Sequence, residues 1–124
     1  MSRWLERYQA GQHGQVWTEM ASMGSGLRSD DEGWHTATAV ARETMRRARE
    51  NVERLVTELP KLGFQFEGEP FTPAAAGIAA DLDRLEARVG VLPLSLRVWF
   101  EEVGLVNLNG SHPDWSFDYP DPLA

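Results

Sequence analysis

The chain has 124 residues, 42% of them hydrophobic, no cysteine and a net charge of −7. That is one domain's worth of chain with enough apolar residues for a modest core, and it excludes a disulfide framework and thiolate chemistry. The N-terminus, MSRWLERYQ, lacks the apolar run of a signal peptide, and no window reaches the length of a membrane span, so a cytoplasmic protein is expected. The first helical region covers residues 3–23, with Trp4, Leu5, Tyr8, Val16, Trp17, Met20 and Met23 at helical spacing. Gly11 and Gly14 each cost about 1 kcal/mol against helix, so one helix with a soft centre and two short helices fit equally well. Gly24-Ser25-Gly26 closes this region. Ser29-Asp30-Asp31-Glu32 matches a capping box. A long helix follows to about Leu59, with Ala37, Val40, Ala41, Met45, Ala48, Val52, Leu55, Val56 and Leu59 on one broad face, and Pro60 is expected to end it. The two helical regions are expected to pair antiparallel.

Leu62 to Phe66 alternates apolar and polar residues and is a strand candidate. Glu67-Gly68-Glu69-Pro70 reads as a loop anchored by Phe71. Ile78, Leu82, Leu85 and Val89 form one face of a further helix. Thr72 is its expected N-cap, Pro73 its first residue, and Gly90 its left-handed C′ position. After a proline turn at Pro93, Leu96, Trp99, Phe100 and Val103 repeat on a second helix that Gly104 closes. Val106 and Leu108 predict a short strand, and Gly110-Ser111-His112-Pro113 a turn.

Charge is unevenly distributed. Residues 1–66 hold nine acids and nine bases, whereas residues 67–124 hold ten acids against Arg84, Arg88 and Arg97. An acidic second half argues against nucleic acid and against an anionic membrane surface, because both need Lys and Arg. It favours a basic protein partner, although acidity also simply keeps a protein dissolved. The arginine-rich stretch of the long helix is matched by glutamates four residues away (Glu43 and Arg47, Arg46 and Glu50, Arg49 and Glu53, Glu50 and Arg54), the pattern of a solvated face.

Few constellations carry chemistry. His13, His35 and His112 show no metal-ligand spacing. His112 with Asp114, Asp118 and Asp121 can be drawn as a metal site or as part of a small hydrolase, but the spacing matches no calcium loop, and Pro113, Pro120 and Pro122 point to an irregular loop. No nucleophile elbow or phosphate loop is present. The remaining candidate is a docking surface: Asp114, Trp115, Asp118, Tyr119 and Asp121 in an acidic, aromatic tail, together with Glu101 and Glu102 at the end of the second helix, where carboxylates oppose the helix dipole. The alternative for the tail is that Trp115 and Phe117 cover the core while the aspartates face water.

The segment LEARVG-x-LP-x-SLR-x-WFEEVG-x-VNLNGSHPDW, with DPL near the end, resembles the SUKH superfamily, which includes the yeast cell-wall-synthesis regulator and many bacterial immunity proteins. The matching positions are Leu85, Glu86, Gly90, Leu92, Pro93, Trp99, Phe100, Gly104 and Gly110, within about residues 78–123. The resemblance implies an α+β fold. An N-terminal antiparallel helix pair (1–61) would precede a SUKH-like helix-turn-helix packed on a small, incomplete antiparallel sheet (62–124), the whole being one unit. It implies protein–protein contact, most simply an immunity protein that neutralises a nuclease-type toxin, or else an intracellular adaptor without a toxin partner. No catalytic residues, metal or cofactor come with it. The family's sheet usually continues past the DPL position, so either the sheet is completed differently here or the chain is a trimmed member with an uncovered strand edge, where a second copy can pair.

Overall fold

The computed structural model describes residues 3–115. The fold is α+β: mostly helical, with a small set of antiparallel strands. The first helical region is two helices, α1 (Trp4–Gln9) and α2 (His13–Ser22), parted at Gly11. Trp4 and Tyr8 on α1 and Val16 and Met20 on α2 are buried. Each pair is spaced i, i+4, so each helix presents one narrow face. A 3-10 segment, Gly24–Ser29, leads into the 31-residue helix α3 (Asp31–Lys61). Arg47 lies against His13 and Trp17 against Thr44, while Met20 and Trp34 line one cavity, so α2 runs antiparallel to α3.

Both ends of α3 depart from expectation by a residue or two. The cap is Asp30, not Ser29: Ser29 still belongs to the 3-10 segment, and Asp30 is the first extended residue, its carboxylate accepting from Gly33 N–H at 3.1 Å. Pro60 lies inside the final turn rather than ending the helix before it. The termination is a Schellman motif, with Gly63 N–H donating to Pro60 O at 3.0 Å and Phe64 N–H to Leu59 O at 3.2 Å. The motif needs a left-handed residue at its C′ position, and Gly63 supplies it with φ +94°.

That closure consumes Leu62–Phe64, so the strand expected over residues 62–66 shrinks to β1 (Gln65–Phe66). β2 (Phe71–Pro73) takes Thr72 and Pro73, which are therefore not the start of a helix. α4 (Ile78–Val89) begins after Gly77, with no side-chain cap. α5 (Leu94–Glu102) follows Pro93. β3 (Gly104–Val106) and β4 (Gly110–Ser111) complete the chain order. The strand expected at Val106–Leu108 thus lies two residues earlier, and Gly110-Ser111, expected in a turn, is paired.

β1 pairs antiparallel with β4 (Phe66 opposite Gly110), and β2 with β3 (Phe71 opposite Val106, Thr72 opposite Leu105). Two backbone bonds of 2.9 Å, Glu67 N–H to Asn109 O and Asn107 N–H to Pro70 O, join these pairs into one ribbon. Four residues, 67–70, bridge the gap on one strand and three, 107–109, on the other, so the ribbon carries a bulge of one residue. At Gly104 the strands approach so closely that a Cβ would sit 2.4 Å from the Thr72 carbonyl oxygen, and φ is +111°. Only glycine fits there. Gly90 also has positive φ, but with ψ 178°, outside the left-handed helical geometry expected of it.

The core is concentrated around α1–α3. Trp4, Tyr8, Val16, Met20, Leu27, Ala37 and Val40 form its main cluster. Among the described residues, the second half contributes only Leu82, Val98 and Val103 as buried apolar side chains. Of the expected face of α5 only Leu96 departs: it is 43% exposed and Val98, 1% exposed, is buried instead, while Trp99 and Phe100 are half-buried and Val103 is buried. At the helix end Glu101 and Glu102 bind Arg42 of α3. On α4, likewise, only Leu82 of the expected stripe is buried, and Leu85 and Val89 face outward. Among the described residues no helix is long and apolar enough to cross a membrane.

Candidate docking surface

The predicted site residues fall into three groups. Glu101 and Glu102 sit where α5 meets α3, and both are engaged within the chain. Arg42 donates from Nη1 to Glu102 Oε1 at 2.8 Å and from Nη2 to Glu101 Oε2 at 3.1 Å. Arg49 donates to the Glu102 carbonyl oxygen at 3.2 Å, and Arg97 Nε to Glu101 Oε1 at 2.9 Å. Arg97 also reaches Asp83 at 2.8 Å and Glu86, both on α4. Two helices are thereby tied to α3 through a chain of alternating charges. Burial works against the charge on Arg97 and Arg42, but the hydrogen bonds they donate to their carboxylate partners outweigh it, and both guanidiniums are held above their ordinary pKa. The arginines also offset the unfavourable placement of two carboxylates at a helix C-terminus. With its side chain only 14% exposed, Glu101 offers little to an incoming protein.

Asp114 and Trp115 lie at the other end of the ribbon, in the turn after β4. His112 fixes that turn. Its Nδ1 accepts from Asp114 N–H at 3.0 Å, so the proton sits on Nε2, which donates to Leu62 O at 2.5 Å. The Trp115 ring stacks on the imidazole, with centroids 4.1 Å apart and planes 21° apart. Trp115 remains 49% exposed, and Asp114 is exposed as well. The turn is thus pinned to the end of α3 while presenting an indole and a carboxylate outward.

Asp118, Tyr119 and Asp121 lie outside the described residues. Among the described residues no three His, Asp or Glu side chains converge as metal ligands do.

An apolar surface went unnoticed in the sequence. The large apolar side chains that are exposed, among the described residues, are Leu55, Leu62, Leu85, Val89, Val91, Leu96, Leu105 and Trp115. All lie in the second half of the chain or at the end of α3 leading into it. Beside Leu105, a cavity of about 290 Å³ opens between β2, β3 and the helices, walled by Pro73, Ile78 and Phe100. Glu67 and Glu69 in the bulge and Asp114 in the turn are exposed carboxylates with no ion pair to a described residue. The available clue was the pairing of an unbroken α4 stripe with too few strands to cover it.

Neither a family model, nor a curated protein, nor a solved structure matches this chain.

Proposed function

We propose that the protein is a binding module that acts by direct contact with a basic protein, as the resemblance of residues 78–123 to SUKH immunity proteins implies, the partner being a nuclease-type toxin. One observation carries this reading: exposed apolar side chains are concentrated in the half that has few buried ones, beside carboxylates that lack an ion pair to a described residue. Apolar anchors rimmed by charge are the anatomy of a recognition surface. The docking face in this reading is the ribbon with its His112 turn, led by Leu105, Trp115, Glu67, Glu69 and Asp114. Glu101 and Glu102 are reassigned from docking to holding α5 on α3. The module makes and breaks no bond.

The test is co-purification with a basic toxin domain encoded beside the gene. Leu105→Asp and the charge reversal of Asp114, Asp118 and Asp121 to lysine are expected to abolish capture while the helical circular dichroism is retained. Capture unaffected by both would overturn the reading. A gene neighbourhood without a toxin, together with a captured partner that is not one, favours an adaptor.

A further inference from the structure

A second concave site lies away from the ribbon, where α2, the 3-10 segment, α3 and the start of α5 meet. Its volume is about 240 Å³. It opens to solvent on one side, so an aromatic ring can lie in it with one edge in water. Its walls are the indoles of Trp17 and Trp34 with Met20, Leu27 and Leu94. Those walls are fixed in place. Trp17 Nε1 donates to Thr44 Oγ1 at 3.2 Å, which satisfies the polar atom of one indole. Met20 and Leu27 belong to the main core cluster, against which Trp17, Trp34 and Leu94 pack.

Arg28 stands on the rim. Its guanidinium lies over the Trp34 ring at 4.4 Å from the centroid, and Nη2 donates to the Leu92 carbonyl oxygen at 2.8 Å. Stacking and that hydrogen bond orient the fork before any ligand arrives. Most arginines of this chain are matched by carboxylates, but Arg28 makes no ion pair to a described residue. A pre-oriented cation at the mouth of a preformed aromatic cavity matches one class of small molecule: a planar apolar body bearing a carboxylate.

From this geometry we infer that the α2–α3–α5 cavity binds a small aromatic carboxylate, its ring in the pocket that Trp17 and Trp34 line and its carboxylate on Arg28. The site stands independently of the ribbon and of any protein partner.

Calorimetric titration of the full chain with 2-naphthoate and with the neutral 2-naphthylmethanol tests it. The carboxylate is expected to bind about tenfold or more tightly than the alcohol, the margin of a hydrogen bond to a charged group. Arg28→Gln is expected to erase that preference, bringing naphthoate down to the affinity of the alcohol for the same variant. Ala21→Trp and, separately, Ser95→Trp fill the cavity from its exposed rim and are expected to abolish binding of both probes. In two-dimensional NMR of the wild-type protein, the indole N–H signals of Trp17 and Trp34 should shift with naphthoate, and that of Trp4 should not. The inference is overturned by no binding of naphthoate at millimolar concentration, by equal affinity for the alcohol, or by binding that survives whichever rim tryptophan variant folds.

Discussion

The guanidinium of Arg42 lies 2.8 Å from the carboxylate of Glu102, joining residues 60 positions apart in sequence. Through Arg42, α5 is tied to α3, and through Arg97, α4 is tied to α5. Arg42→Ala leaves Glu101 and Glu102 side by side at a helix C-terminus. The expected loss is about 1–2 kcal/mol, between the ranges for exposed and buried pairs, since Arg42 is 45% exposed and its partners less so. Urea unfolding measures it. An unchanged midpoint would mean that apolar packing alone seats α5.

The N-terminal helices have their own ionic clamp, and it is sensitive to acid. Arg7 takes both oxygens of Glu19 at 2.7 Å, and Trp4 Nε1 adds a bond at 3.0 Å. The hydrogen bond from Arg7, then that from Trp4, lowers the Glu19 pKa from 4.5 to about 2. A depressed carboxylate pKa stabilises the fold above the unfolded value and loses that contribution as pH falls through the folded one. Stability tied to Glu19 is therefore complete above about pH 4.5 and disappears toward about pH 2. In urea titrations at several pH values, Glu19→Gln should flatten the acid limb of the stability profile. A limb of unchanged steepness would assign it to other carboxylates, foremost Glu43, which Arg46 and then Arg47 hold at about 2 as well.

Gly104→Ala should be among the most damaging single substitutions in the second half. It combines a positive φ with a Cβ 2.4 Å from the Thr72 oxygen, and backbone strain alone costs about 1–3 kcal/mol. Gly26→Ala is the control, since a Cβ there meets nothing within 4 Å and φ is not positive. Thermal melts of the two variants should differ by several degrees. Equal melting temperatures would mean that the ribbon is not coupled to global unfolding.

Replacing His112 with Ala removes both anchors of the turn that carries Asp114 and Trp115. Amide exchange at Asp114 should accelerate, since its N–H loses the Nδ1 acceptor, while exchange in the middle of α3 should not change. Unaltered exchange at Asp114 would show that the turn holds itself.

The sequence was most legible where one periodicity ran long. The α3 face from Ala37 to Val52 follows from spacing alone, whereas Gly11 and Gly14 left one helix and two equally open, and the structure parts them at Gly11. Misreadings occurred where two local codes competed for the same residues. Thr72-Pro73 is a good helix start, but ladder pairing with Gly104 and Leu105 claims it first. On α5 the spacing found Trp99, Phe100 and Val103 but took Leu96 for Val98, and it says nothing of the charge partner Arg42, 60 residues away. For the site, Asp114 and Trp115 are exposed as a docking role requires, whereas Glu101 and Glu102 have internal partners that no local pattern announces. Leu105 was overlooked because a single leucine between two glycine-bounded elements carries no periodicity.

Phe66 and Phe71 are five positions apart, an odd separation that on a regular strand would send their rings to opposite sides. Their partners, Gly110 and Val106, are four apart, an even separation. The extra residue restores parity, and both phenylalanines are half-buried while Gln65, Glu67 and Thr72 are exposed. With the phenylalanines five positions apart, the unpaired residue in 67–70 is what keeps both on the dry side. Shortening 67–70 by one residue would match the strands four against four, so the ribbon would stay two-sided and lose only its kink.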